Sequence, residues 1–215
     1  EGRFGRARSV TKVMGDDDFG QLAFGSASFT VEGWMKTSPL PAGTAYQVVG
    51  RSTLNPSATT QEYAVQLDPA GNLTASLYPG TGTVVQAVMP GTACDVDDNT
   101  WHYVAMVVNR ETGRLELYVD GAMRQDAEIP AGFGAVKTVA GSRFFVGARY
   151  GSNGDTNFPG AIDEVRVSST AHSAAQIAAI AGGAGTPVIT RVAPTRFVLR
   201  GIATTISVEG YGFTS

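Results

Sequence analysis

Short runs of alternating apolar and polar residues recur along the chain, and most are closed by a turn. Phe29, Val31, Gly33 and Met35 fall on one face of an extended segment, with Trp34 on the other. A strand with bulk on both sides belongs in a layered structure. Further strands are expected over 48–52, 63–68, 73–78, 101–108, 114–119, 122–126, 144–148 and 161–167. Pro69-Ala70-Gly71-Asn72 turns the chain between two of them. Asp120-Gly121 closes the hairpin after 114–119, where glycine accepts the positive φ of a tight turn. The apolar positions Phe29, Val31, Val104, Leu117, Val119, Phe145, Ile162 and Val165 are the expected core. Trp34 and Trp101, each within a strong strand, are expected to be largely buried and structural.

One helix is expected, near 173–180. Ser173 stands at its N-cap and Gly182-Gly183 stops it. Strands at this spacing without intervening helices argue for an all-β, two-sheet antiparallel sandwich of jelly-roll type, because a parallel sheet needs a helix between most strands. The expected division is a sandwich over 1–181, a Gly-rich linker over 182–186 and a short C-terminal β segment over 187–215. Two strands in the tail are too few to bury a core of their own.

Composition agrees. Of 215 residues, 43% are hydrophobic and 16% charged, which suits a folded core, and the 27 glycines suit short strands and tight turns. The net charge is −3 with scattered basic residues, so no nucleic-acid partner is expected. No apolar run reaches the ~18 residues of a membrane helix, so no membrane insertion is expected. Cys94 is the single cysteine and is read as an inert thiol.

Three motifs in order resemble a known family. Phe29-Thr30-Val31-Glu32-Gly33-Trp34 is the first. The second is Trp101-His102-Tyr103-Val104, running through Leu117-Tyr118-Val119-Asp120-Gly121. Gly160-Ala161-Ile162-Asp163-Glu164-Val165-Arg166-Val167 is the third, followed by the Ser-led helix. Together they resemble the laminin-G-like jelly roll of the concanavalin A-like lectin/glucanase superfamily. The tail, with Pro187, Ile189, Val192, Pro194 and Gly210-Tyr211-Gly212-Phe213, resembles the opening of an IPT/TIG immunoglobulin-like domain. Such a unit needs more strands, so completion by further sequence, or by neighbouring copies through 187–215, is expected in preference to docking on the sandwich.

The superfamily contains glycoside hydrolases, which need two carboxylates across a cleft. The alternating acidic run of those relatives is missing here. Asp163 and Glu164 are adjacent and point to opposite faces of a regular strand, so no enzyme is expected. His102 and His172 are read as packing or surface residues. The resemblance raises the expectation of Ca²⁺, which takes oxygen ligands. Asp16, Asp17, Asp18 and Asp163 are the candidate metal ligands, tying the first strand to the last; Asp95, Asp97, Asp98 and Asn99 form another oxygen-rich loop. A carbohydrate site wants aromatic platforms beside polar loop groups. Tyr46 and Tyr78 are candidate platforms. The preferred ligand rim is Tyr150, Asn153, Asp155, Asn157 and Phe158. The chain is therefore expected to be an extracellular, cell-surface or virion-surface module that binds a glycan or protein ligand through its loops. A structural spacer or assembly module of a surface protein, filament or virion is the alternative.

Overall fold

In the computed structural model the residues described are 8–9, 15–16, 20–54, 60–93, 95–149, 156–183, 188–193 and 207–211. Cys94 lies outside them. The strands in chain order are β1 (Arg8–Ser9), β2 (Gly15–Asp16), β3 (Phe29–Thr37), β4 (Tyr46–Ser52), β5 (Gln61–Leu67), β6 (Leu73–Leu77), β7 (Val85–Met89) and β8 (His102–Asn109). β9 (Arg114–Val119), β10 (Ala122–Glu128), β11 (Arg143–Val146), β12 (Ala148–Arg149), β13 (Thr156–Asn157) and β14 (Gly160–Ser168) follow. The helix α1 (Ala174–Ala181) comes next, then β15 (Val188–Ala193) and β16 (Ser207–Tyr211).

Two antiparallel sheets make an all-β sandwich. The first has the order β1-β14-β3-β8-β9-β10 and the second β2-β11-β4-β5-β6-β7. Period-two alternation turns one side of each strand inward. Phe29, Val31 and Met35 of β3 meet Tyr63, Val65 and Leu67 of β5 and Leu73, Ala75 and Leu77 of β6 in one continuous core. Phe24 stacks on Phe29 with ring centroids 4.2 Å apart, closing one end of that core. Of the expected core residues, all but Val165 are buried. Val165 is half-buried because β14 bulges between Asp163 and Arg166, where Glu164 takes φ 50° and shifts the register. The same bulge corrects the reading of Asp163 and Glu164 as neighbours on a regular strand.

Asp120 (φ 51°) and Gly121 (φ 81°) both have positive φ, as a two-residue hairpin with the twist of its strands requires. β7 was not expected, because the adjacent Val84 and Val85 blur the alternation of Gln86, Ala87, Val88 and Met89. Among the described residues one ion pair is fully enclosed: Arg51 Nη1 donates to Glu62 Oε2, and Glu62 Oε1 accepts from Val139 N–H, which holds the segment before β11 against the second sheet.

The outward side of the first sheet carries a second core beside the buried Thr30 and Glu32. Trp34, Tyr103, Ala105, Val107 and Tyr118 pack there under Ile177 of α1. Trp34 and Tyr103 meet edge to face at 5.6 Å. The helix begins as expected. Ser173 Oγ accepts from Gln176 N–H while Gln176 Oε1 accepts from Ser173 N–H, a reciprocal capping box. Thr30 guides the chain into it: its hydroxyl donates to the Thr170 carbonyl and its Oγ1 accepts from His172 N–H. In the tail, β15 and β16 pair antiparallel as a separate two-stranded sheet.

Candidate functional site

Tyr150, Asn153 and Asp155 of the expected ligand rim lie outside the described residues. Asn157 sits on β13, half-buried, its Oδ1 enclosed and unbonded. Phe158 is a correction. It is fully buried in the main core and presents no ring face to a ligand, because the turn out of β13 directs it between the sheets. Tyr46 is half-buried against that core and Tyr78 is buried, so neither stands as an open platform.

Of the expected metal ligands, Asp17 and Asp18 lie outside the described residues, as does the Asp16 side chain. The Asp16 backbone pairs with Phe144 in the second sheet, whereas Asp163 pairs with Trp34 in the first. Asp163 Oδ1 accepts from Glu164 N–H. Among the described residues no three His, Cys, Asp or Glu side chains gather as a metal would require, and Ca²⁺ needs six to eight oxygens. β1 pairs with β14 through the backbone, Arg8 with Ile162 and Ser9 with Ala161.

The described residues do assemble an aromatic cleft at one edge of the helix-covered face. It has a volume of about 470 Å³ and lies between Trp34, Trp101, Asp120 and Gly121 on the sheet side and Ala178 and Ala181 of α1. Trp101 was expected to be largely buried but is half-buried: it packs against the second core and also lines the cleft. Its neighbours keep the space open because they are small. Gly121 is pressed so closely on the helix that a Cβ there would lie 3.1 Å from the Ala178 Cα.

Asp120 is the carboxylate of this cleft, and it is held firmly. Its Oδ1 accepts from Tyr103 N–H at 2.9 Å and its Oδ2 from His102 Nδ1 at 2.8 Å. On the other side of the ring, Nε2 lies 3.1 Å from Asp98 Oδ1. His102 is therefore neither packing nor plain surface but a clamp between two loop carboxylates. The Asp120 hydrogen bond raises its pKa above the ordinary histidine value, with Asp98 assisting and burial opposing. Bonds from Thr100, with a further one from His102, hold Asp98 down to about 2. For Asp120 the net shift is also downward: burial alone would raise it, but the His102 bond and Tyr103 N–H outweigh that. His172, read as loop surface, instead places Nδ1 3.2 Å from the buried Glu32 Oε2, which also accepts from Tyr103 OH at 2.7 Å. No sequence spacing announced the clamp, since its carboxylates stand four residues before His102 and eighteen after it.

The outward side of the second sheet is polar. Gln47, Gln66, Thr74 and Val88 form one cross-strand row, and Gly50, Ala64, Ser76 and Gln86 the next. Gln86 and Val88 are exposed at the β7 end. Gln47 is buried, with neither amide atom bonded.

A laminin-G family of the concanavalin A-like lectin/glucanases superfamily matches residues 15–178. The chain belongs to that superfamily. No curated protein sequence matches it. Among solved structures it resembles the binding domain of Paraclostridial Mosquitocidal Protein 1, at 15% identity and TM-score 0.58, covering 79% of this chain. It spans only 40% of that domain's length. The CBM40 domain of a Ruminococcus gnavus IT-sialidase, solved with α2,3 sialyllactose, has 13% identity and TM-score 0.62, covering 82% of this chain and 96% of its own. Domain 4 of AbnA, a GH43 extracellular arabinanase from Geobacillus stearothermophilus in complex with arabinotriose, has 20% identity and TM-score 0.55, covering 84% and 78%. At these identities the likeness establishes the jelly-roll fold.

Proposed function

We propose that this superfamily member is a non-catalytic recognition module of extracellular type that holds a glycan in the cleft beside Trp101. The observation that carries the reading is the pairing of a half-buried indole with a carboxylate fixed at both oxygens, across a space of about 470 Å³. A pyranose presents an apolar C–H face that stacks on an indole and hydroxyls that donate to a carboxylate. Asp120 keeps lone pairs for such donors. Among the described residues Asp120 is the single carboxylate lining the cleft, whereas glycoside hydrolysis needs a facing pair, which supports binding without turnover. Structures of similar fold were solved with sialyllactose and with arabinotriose, which makes both sensible first probes. The spacer or assembly alternative gains nothing from the exposed edge strand β10. Its charged Arg124, Asp126 and Glu128 and its bulge after Met123 oppose strand-to-strand pairing.

A glycan array that includes these sugars, followed by calorimetric titration of the hits, tests the reading. Trp101→Ala and Asp120→Asn should each weaken binding by about tenfold or more, through lost stacking and a lost charged acceptor. A folded protein that binds no glycan overturns the proposal, and so does a hit whose affinity is unchanged in both variants.

A further inference from the structure

The glycan reading leaves unexplained why the residue after Trp101 is a histidine held at both ring nitrogens. A neutral imidazole has one N–H and can donate to one carboxylate; the imidazolium donates to both. Nδ1 faces Asp120 Oδ2 at 2.8 Å and Nε2 faces Asp98 Oδ1 at 3.1 Å, so the geometry suits the charged ring. Thr100 adds a second position to the device. Its Oγ1 lies 2.7 Å from Asp98 Oδ1 and 2.9 Å from His102 Nε2. The hydroxyl has one proton. It goes to Asp98 while the ring is charged, and turns to Nε2 once that nitrogen becomes an acceptor.

Losing the ring proton therefore removes two donors from Asp98 together, the Nε2–H and the Thr100 hydroxyl. The Thr100 N–H, at 2.7 Å, is the donor that stays. These bonds fold residues 98–100 back against the start of β8. Trp101 is the single residue between Thr100 and His102, so its indole rides on the same loop.

Resting on the glycan reading above, we propose that His102 is a positioning residue that makes the cleft sensitive to pH, fixing the Asp98–Thr100 loop that carries Trp101 when charged and loosening it when neutral, while Asp120 stays held. The groups around it agree in sign. Asp98 faces it from the loop and Asp120 from the β9–β10 turn, while Arg124 of β10 acts on Asp120 and Asp95 feels the ring only through its charge. Carboxylates outnumber cations, which favours the charged ring. Retention of a glycan then weakens as pH rises through the titration of His102.

The first arm of the test uses the intact protein without sugar. NMR follows the two histidines, while indole emission is recorded in a Trp34→Phe background so that Trp101 alone reports. The emission is expected to change with the same midpoint as His102, above the ordinary value of about 6.5, and to be flat in His102→Gln. Asp98→Asn should move both midpoints down together, which keeps the test decisive if His102→Gln folds poorly. In the second arm, titration with arabinotriose and sialyllactose at about pH 5.5 and about pH 8.5 should show binding about three- to tenfold weaker at the higher pH in the wild type, and unchanged in His102→Gln. Titration of His102 with no change in Trp101 emission overturns the switch even if sugar binds. Coincident midpoints with no sugar bound support the switch and count against the glycan reading alone.

Discussion

The two outward faces of this sandwich follow the same period-two rule and reach opposite ends. On the first sheet the outward residues include Trp34, Tyr103, Ala105, Val107 and Tyr118, an aromatic and aliphatic patch that water would penalise, beside Thr30, Glu32 and Glu116, and the chain covers the patch with α1. On the second sheet the outward rows are Gln47, Gln66, Thr74 and Val88, then Gly50, Ala64, Ser76 and Gln86; most are buried, Gln86 and Val88 are exposed, and no helix among the described elements packs there. The difference teaches where specificity arises in this fold. A covered face needs a seam where the cover ends, and the seam exposes part of what the cover was there to hide. Trp101 and Asp120 stand at that seam, beside the last turn of α1.

The sharpest way to break the comparison is Trp34→Ala. Trp34 packs under Ile177 against Tyr103 and keeps one edge on the cleft, so the loss should be about 3–5 kcal/mol by denaturant titration. Next is Ile177→Ala, which removes the one buried side chain that α1 sends to the sheet. It should cost about 2–4 kcal/mol and raise ANS binding by uncovering the aromatic face.

Smaller is the pH effect of the clamp. The folded pKa of His102 is raised, so its contribution is complete below the unfolded value and is lost as pH rises through the folded one. Asp98 and Asp120 are lowered, so theirs is present above the ordinary carboxylate range and lost as pH falls through their folded values. Stability should thus decline modestly on the alkaline side of His102, by no more than about 1 kcal/mol after solvent screening, and His102→Gln should flatten that limb of a melting-temperature profile. The smallest effect belongs to the polar face: Gln66→Ala and Gln86→Ala should each change stability by less than about 0.5 kcal/mol, since neither covers a core.

Much of this fold was legible because burial on alternate positions writes itself into a strand. The split of Phe29, Val31 and Met35 from Trp34 marked both cores, and Ser173 with Gly182 marked the helix. Features set by distant contacts were not legible. β1 and β2 are two residues long and exist through their partners, Ile162 and Phe144. The bulge that leaves Val165 half-buried depends on a positive φ at Glu164, a residue that rarely adopts one. For the site, composition drew attention to Asp- and Asn-rich loops, and Phe158 illustrates the hazard: a loop aromatic turned inward to the core. His102 was visible as a residue, but its role depends on Asp98 and Asp120 arriving from two loops, which no local pattern encodes.

The central claim is that recognition occurs at the seam of the covered face. Its most direct test is an NMR titration of the ¹⁵N-labelled protein with the best array sugar, following the Trp101 indole N–H alongside the side-chain amides of Gln66 and Gln86. The account predicts that the Trp101 indole and the Asp120 and Gly121 backbone amides shift together with saturation, while Gln66 and Gln86 stay in place. Shifts confined to Gln66 and Gln86, with Trp101 unmoved, would place recognition on the polar sheet and contradict it.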